Sequence, residues 1–294
     1  MSILLDRDTR AIVQGITGRI GSVQTRWMLD CGTRLVGGVT PGKGGQEVHG
    51  LPVFNTVYQA VDATGANASV IFVPAPFTKD AALEAISAGL RLVVIVTEHV
   101  PTRDSIVIKH TARQAGCWVL GPNCPGLLTP GVGKLGIMPA NLFVPGPVGV
   151  VGRSATLSYE IAGNLTLAGL GQSTAVGIGG DPVTGARFVD VLRLFEADPE
   201  TAAVVMVGEI GGTAEEEAAE YIREMTKPVV AFIAGRAAPP GRKLGHAGAI
   251  IRGSEGTAVS KVRALERAGA AVAATPGEVP ILVAQALSAA RRHG

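Results

Sequence analysis

Ala11-Ile12-Val13-Gln14-Gly15-Ile16-Thr17-Gly18-Arg19-Ile20-Gly21 decides the fold. A short apolar run ends in a turn with glycines at 15, 18 and 21, and Arg19 to Asp30 then takes up the apolar spacing of a helix. Strand, glycine turn and helix in that order make a phosphate cradle. The glycines let backbone approach an oxyanion closely, and the new helix presents free N–H groups to it. The alternation continues, with strands expected at Arg34 to Gly37, Ser69 to Val73, Leu92 to Val96 and Trp118 to Leu120. Helices are expected at Val57 to Asp62, Lys79 to Ala88 and Arg103 to Ala115. Buried apolar strands alternating with amphipathic helices predict a doubly wound α/β sheet of the Rossmann type.

A second α/β series follows Pro145. Strands are expected at Val148 to Val151, Ser173 to Val176, Ala203 to Val207 and Val229 to Ile233. Helices are expected at Thr156 to Ala168, Ala186 to Glu196, Ala214 to Glu224, Gly256 to Ala268 and Gly277 to Ala290. Between the series lies a stretch dense in Pro and Gly and poor in periodicity, which sets the expected boundaries. Residues 1–121 form a first domain, 122–145 a linker and 146–294 a second domain.

The 294 residues carry a formal net charge of +2, too small to argue for a polynucleotide partner. Basic residues are scattered, apart from Arg236, Arg242 and Lys243 close to His246, where a phosphate or acidic ligand fits the local excess. Three cysteines supply neither a disulfide framework nor a paired metal motif, so no metal site is expected and a cytoplasmic location is. No basic-plus-apolar leader opens the chain, and no apolar run has the length of a membrane span.

In the first half, Gly15 to Gly21 on its own is compatible with NAD. However, the second strand ends in Gly37-Gly38-Val39-Thr40-Pro41-Gly42-Lys43-Gly44-Gly45, without the acidic residue that would hold a ribose. Lys43 in a flexible loop suits a ligand richer in phosphate, such as coenzyme A; a solvated lysine is the plainer reading. Val73-Pro74-Ala75-Pro76-Phe77 is expected to form a stiff apolar wall for an adenine or pantetheine arm, or simply to stop a strand. Cys124 sits in Pro122-Asn123-Cys124-Pro125-Gly126 with no assured partner to generate a thiolate, so a wall residue is preferred to a nucleophile.

In the second half, Gly245-His246-Ala247-Gly248 places one imidazole among small residues, the setting of a mobile phosphoryl carrier or of an idle loop histidine. Gly152-Arg153-Ser154-Ala155-Thr156 joins a strand to a helix, where Ser and Thr suit an N-cap and an anion site equally. Gly177-Ile178-Gly179-Gly180 repeats the arrangement, and Gly208-Glu209-Ile210-Gly211-Gly212 puts one carboxylate at a strand end. Glu209 is expected to hold one imidazole nitrogen and leave the other free to attack phosphorus, or else to be a first-turn helix acid. Convergence of Glu209, the Ser154 helix start and His246 on one sheet edge favours the carrier.

Six motifs in order give this chain its resemblance to the α subunit of succinyl-CoA synthetase, the ADP- or GDP-forming succinate–CoA ligase. They are the stretches at Gly37 to Gly45, Gly50 to Val57, Gly121 to Gly126, Gly177 to Pro182, Gly208 to Gly212 and Gly245 to Ile251. The resemblance implies a CoA-binding Rossmann-like domain followed by a flavodoxin-like ligase domain. It also implies a tricarboxylic acid cycle reaction and a heteromer (αβ or α2β2) whose β subunit carries an ATP-grasp site for ATP or GTP with Mg2+. By the same resemblance His246 is the phosphohistidine and Glu209 its orienting acid. Ser154, Ala155, Thr156, Gly179 and Gly180 would hold phosphate. Coenzyme A would lie on Gly15, Thr17, Gly18, Arg19, Ile20, Gly21, Pro41, Lys43, Phe72, Pro74, Val96 and Glu98.

Two departures bear on the small organic acid. The family pattern has Ser at 152 and Gly at 155 where this chain has Gly152 and Ala155, and Gly where it has His99. His99, Asn123 and Cys124 are the candidate substrate-side residues, and His99 is equally readable as a solvated loop residue. Succinate is the expected acid, with malate, citrate, itaconate or a sulfonated acid as alternatives. A non-catalytic CoA-binding module is the rival of another class, and it leaves the convergence on His246 without a reason.

Overall fold

The computed structural model describes residues 3–236, 246, 248–249 and 256–293. The chain forms two compact units, one comprising Leu4–Met138 with Val183–Ala186, the other Pro139–Pro182 and Arg187–Gly294 with Met1–Ile3. Both are the expected α/β type. Among the described residues no helix is long and apolar enough to cross a membrane.

The first unit runs β1 (Ala11–Gln14), α1 (Arg19–Asp30), β2 (Leu35–Val39), β3 (Glu47–Val48), β4 (Leu51–Phe54), α2 (Val57–Thr64) and β5 (Ala68–Ile71). It continues with α3 (Ala75–Ser87), β6 (Leu92–Ile95), α4 (Thr102–Ala115), β7 (Trp118–Leu120), β8 (Gly126–Thr129) and β9 (Gly133–Gly136). Its main sheet has the order β3-β4-β2-β1-β5-β6-β7, parallel throughout except for β3 against β4. Strands β1, β5 and β6 are buried along their whole length, which is why they read as mostly apolar rather than alternating, and the polar exceptions Gln14 and Ser69 hydrogen-bond each other. The pair β3–β4 escapes the pattern because it is short and its inner strand β4, next to the sheet edge, holds Pro52. The Pro/Gly-rich stretch read as a linker holds an antiparallel hairpin, β8 with β9, and a 3-10 turn at Ala140–Leu142. At Gly126 and Gly136 the strands lie so close that an added Cβ would meet backbone at 1.9 and 2.3 Å. The glycines that look like loop punctuation are packing requirements.

The second unit runs β10 (Pro145–Gly152), α5 (Ala155–Leu167), β11 (Gln172–Gly177), α6 (Phe188–Ala197), β12 (Ala203–Glu209) and α7 (Ala214–Ile222). Then follow β13 (Val229–Ala234), α8 (Ala258–Arg267), β14 (Ala271–Ala273) and α9 (Val279–His293). Five parallel strands lie in the order β14-β13-β12-β10-β11. Helix α5 packs on α9, while α6 packs on α7 and α7 on α8. Strand β12 is buried throughout and β13 up to its last residue; both are apolar apart from the acid on which β12 ends, Glu209.

Candidate active site

Each parallel sheet reverses its winding once, and each reversal falls among the glycine-rich loops. In the second unit β10 lies between β11 and β12, so the chain winds one way through α5 and the other way through α7. The crevice at the carboxyl ends of β10 and β12 is the switch point where α/β proteins bind ligands. Arg153 follows the last residue of β10, and Glu209 is the last residue of β12.

His246 enters that crevice. Its Nδ1 faces both Glu209 carboxylate oxygens, at 2.8 Å to Oε2 and 3.0 Å to Oε1. A carboxylate can only accept, so Nδ1 carries the hydrogen in this pairing and Nε2 is left as the free ring nitrogen. The hydrogen bond that the ring donates to Glu209 raises its affinity for a proton above that of ordinary imidazole, against the opposing effect of burial. The charges of Glu209 and Asp181 act in the same direction and that of Arg153 against it. With 27% of its side chain exposed against 9% for Glu209, the ring is reachable while its partner is not. Glycine makes the place for it: a Cβ on Gly180 would stand 2.4 Å from the ring Cγ.

Three further charged side chains, unassigned by sequence reasoning, hold Glu209. Arg153 Nη2 lies 3.4 Å from Glu209 Oε1, and its Nη1 lies 3.6 Å from Glu215 and donates to Gly211 O at 3.3 Å. Glu215 accepts from the Glu209 backbone N–H at 3.1 Å. Lys261 bonds the carboxylate of Glu215, that of Glu216 at 2.9 Å and the carbonyl of Gly212 at 2.9 Å. Glu215 and Lys261 are fully buried.

Ser154 is the N-cap of α5, its Oγ accepting from Leu157 N–H at 3.4 Å. Ala155 opens that helix and Thr156 is exposed on it. Gly179 has φ +101°, a turn geometry open to glycine, and Gly180 O accepts from Gly248 N–H at 3.3 Å. The missing hydroxyl at 152 has a structural reason: a Cβ there would stand 2.2 Å from Ser158 Oγ, which fills that space and donates to Ser154 O. Gly245, Ala247, Ile250, Ile251, Arg242 and Lys243 lie outside the described residues.

In the first unit the switch point falls between β1 and β5. Gly15 has φ +83° and its N–H donates to Val39 O, while Gly18 N–H donates to Gly15 O. A Cβ on Gly21 would stand 2.1 Å from Gly15 O, so the turn and the start of α1 touch through backbone alone. Gly18, Arg19 and Ile20 are exposed there, as are Pro41 and Lys43 after β2. Thr17 Oγ1 donates to Thr40 Oγ1 at 3.1 Å and ties the two loops together. Phe72 and Pro74 follow β5, and Val96 and Glu98 follow β6 at the same edge. One expectation is corrected here: the helix expected from Lys79 begins at Ala75, so Ala75 to Phe77 form the first turn of α3. Pro76 sits where a helix does not need its N–H, so proline starts this helix.

The substrate-side candidates separate. Cys124 is buried, its Sγ donates to Ile95 O, and burial pushes its pKa to about 12, so it remains a thiol. Asn123 and His99 both adopt positive φ, 55° and 62°. That backbone explains why glycine suits position 99, and His99 itself is 91% exposed beside Glu98.

An exposed backbone-lined loop set in one unit can hold a phosphate-rich ligand, and a carboxylate-oriented imidazole in the other can accept a phosphoryl group. Known proteins resemble both parts of the chain. The CoA binding domain family matches residues 6–99 and the CoA-ligase family residues 151–271. A succinate–CoA ligase (ADP-forming) α subunit of Archaeoglobus fulgidus is 62% identical over 275 residues, covering 94% of each chain. That of Methanothermobacter thermautotrophicus is 61% identical over 277 residues, again covering 94% of each. Among solved structures, an ATP citrate lyase from Methanothrix soehngenii in complex with citrate and coenzyme A superposes with a TM-score of 0.89 at 27% identity. The superposition covers 99% of this chain and 52% of that one, so this chain spans about half of the lyase.

Proposed function

The chain belongs to the family of succinate–CoA ligase α subunits, and we propose that His246 is its phosphoryl carrier in the formation of succinyl-CoA. It is an acid–CoA ligase subunit with a CoA-binding domain, and as an α subunit it works with a β partner. The observation that carries the proposal is the 2.8 Å contact between Glu209 and His246 Nδ1 at the switch point of the ligase domain.

The reaction proceeds in three displacements. The lone pair of Nε2 attacks the terminal phosphorus of a nucleoside triphosphate held by the partner, the bond to the bridging oxygen breaks, and the diphosphate leaves. A carboxylate oxygen of succinate then attacks the phosphohistidine phosphorus and releases the imidazole, giving an acyl phosphate. Last, the CoA thiolate attacks the acyl carbon and expels inorganic phosphate. Glu209 serves the first two steps by holding the hydrogen on Nδ1, so that bond making and breaking are confined to Nε2. It also compensates the positive charge that the ring acquires as Nε2 bonds to phosphorus. The dipole of the 13-residue helix α5 is available to the phosphoryl oxygens.

Coenzyme A is placed on the loops at Gly15 to Gly21, Thr40 to Lys43 and Phe72 to Pro74, with Val96 and Glu98 alongside. The partner is assigned the ATP-grasp site with Mg2+ in a cytoplasmic αβ or α2β2 assembly; three free cysteines accord with a reducing compartment. Succinate is preferred to citrate because the succinate ligase subunits share 61–62% of this sequence and the lyase 27%.

The test uses the complex co-purified with its partner. Labelled nucleoside triphosphate should give an acid-labile, base-stable phosphoryl group on the α chain that His246→Asn abolishes while the complex stays assembled. A panel of carboxylic acids should then discharge the label fastest with succinate. Undiminished label in His246→Asn would overturn the carrier, and faster discharge by another acid would overturn the substrate.

A further inference from the structure

Four buried charges behind His246 form one connected network, and the reaction as proposed uses only the last of them. Starting from α8, Lys261 pairs with Glu215 of α7; Glu215 faces Arg153 after β10; Arg153 faces Glu209 at the end of β12. Burying charge in this way is expensive, and a bond-matched apolar substitute is often as stable, so stability alone is a weak reason for the cluster. Its contacts point elsewhere. Beyond the pairings within the network, they fall on three residues of one short segment, Glu209, Gly211 and Gly212. Glu215 fixes the N–H of Glu209, Arg153 holds both the Glu209 carboxylate and the Gly211 carbonyl, and Lys261 holds the Gly212 carbonyl.

The segment held has the freedom to move. Gly211 and Gly212 both have positive φ, 90° and 62°, so nothing in their own side chains fixes the turn that aims Glu209. Arg153 also supports the histidine side, since a Cβ on Gly248 would stand 2.6 Å from its Nη2. A planar guanidinium presents several donors in fixed directions, which suits a group that must grip a carboxylate, a carbonyl and a second carboxylate together.

We propose that Arg153, backed by the buried Glu215–Lys261 pair, is a positioning residue that aims the Glu209 carboxylate at His246 Nδ1 and balances the charge around the ring. This rests on the phosphohistidine reading of His246. The charged groups in question are Glu209 on β12, Arg153 after β10, Glu215 and Glu216 on α7, Lys261 on α8 and Asp181 after β11. With a neutral ring, the network of Glu209, Arg153, Glu215, Glu216 and Lys261 carries one more negative than positive charge. Removing a cation makes the site more negative and retains the proton on the ring to higher pH; removing an anion acts in the opposite direction. Charges that do not act on the ring produce no such pair of opposite shifts, and the rate difference between Arg153→Met and Arg153→Lys reports the aiming.

The experiment follows single-turnover phosphorylation of His246 by labelled nucleoside triphosphate in the complete complex, as a function of pH, for wild type, Arg153→Met, Arg153→Lys and Glu215→Gln. Wild-type phosphorylation rises with pH as Nε2 loses its proton. Arg153→Met should slow it on the order of ten- to a hundredfold, the scale of a misplaced catalytic group, and move the midpoint to higher pH. Arg153→Lys keeps the charge but loses the fork, so it should keep the midpoint and recover part of the rate. Glu215→Gln retains an acceptor for Glu209 N–H and should move the midpoint to lower pH. Midpoints that stay in place, or move the same way in both charge-removing variants, overturn the proposal; if only one of these folds, its midpoint decides. Failure of the wild-type complex to label His246 is a different result and removes the carrier reading itself.

Discussion

Replacing Gly180 by alanine adds one methyl group and tests the geometry of the whole site. Gly180 lies after β11 and has no positive φ that alanine would strain, so the change acts through space alone. The new Cβ would stand 2.4 Å from His246 Cγ and 2.6 Å from both Cδ2 and Nδ1. Ordinary contact between such atoms is about 3.5 Å, so the ring must retreat by about 1 Å. The Nδ1 to Oε2 distance is 2.8 Å, and a retreat of about 1 Å directed away from Glu209 takes it past the about 3.2 Å that such a hydrogen bond tolerates. A hydrogen bond to a charged group contributes about 1.5–3 kcal/mol, and each 1.36 kcal/mol is a factor of ten in rate. Gly180→Ala should therefore slow single-turnover phosphorylation of His246 roughly ten- to a hundredfold. The ring is partly exposed and can swing out, so the melting temperature should stay within a degree or two of wild type, and coenzyme A binding should be unchanged. Phosphorylation at the wild-type rate would refute the argument, because it would mean that the ring reacts without its seat on Glu209.

Four other expectations follow from the same contacts. Glu209→Gln should slow phosphorylation on the order of a hundredfold with coenzyme A affinity unchanged, and should move the pH midpoint down, because the group that chiefly holds the proton on the ring is gone. Folding stability shows the complementary effect. His246 is held above its ordinary value in the folded state, so its contribution is complete below pH ~6.5 and disappears as pH rises through the raised value; denaturant unfolding of wild type against His246→Asn across that range should reveal a difference that shrinks with rising pH. Gly21→Ala presses a Cβ against Gly15 O at 2.1 Å, backbone against backbone, and should cost about 1–3 kcal/mol together with most of the coenzyme A affinity measured by calorimetry. Lys43→Ala should weaken coenzyme A on the order of tenfold, flatten the salt dependence of binding and leave the melting temperature alone, since the side chain is exposed.

The parts of the fold legible in the sequence are those where one physical demand dominates. Ala11–Gln14, Trp118–Leu120 and Arg19–Asp30 coincide with their expected bounds because a strand buried on both faces must be mostly apolar and a covering helix must not be. Where two demands compete the reading fails. Leu51–Phe54 is a strand containing a proline, permitted because it lies near a sheet edge where β3 pairs antiparallel. Gly126–Thr129 and Gly133–Gly136 form a hairpin whose glycines serve close strand approach, a need that depends on the partner strand and not on the local sequence. The helix expected from Lys79 begins at Ala75, because proline in the first turn of a helix is a starter.

The candidate site divides along the same line. His246 and Glu209 are legible because each is a titratable group set among glycines in the sequence, Glu209 at the end of a strand, a place with no packing reason for one. Arg153, Glu215 and Lys261 belong to secondary structure or its margin, where a charge is normally read as a solvated face. Yet a signal exists in two of the three. The buried positions of α8 are Ala258, Lys261 and Leu265, and those of α7 are Glu215, Ala218, Ala219 and Ile222. Each series has the 3- and 4-residue spacing of a helix stripe facing the core, and each contains one charge. A lone charge on such a stripe must be paired, because leaving it buried and unpaired costs more than any single contact returns. Two neighbouring helices each carrying one, of opposite sign, therefore predict a buried ion pair between them, and the odd charge Arg153 beside the strand end is what that pair has left to hold. The residues that position Glu209 are thus encoded as violations of the helix pattern, and recognising them requires knowing that α7 and α8 are packed together, which is a property of the fold and of neither helix alone.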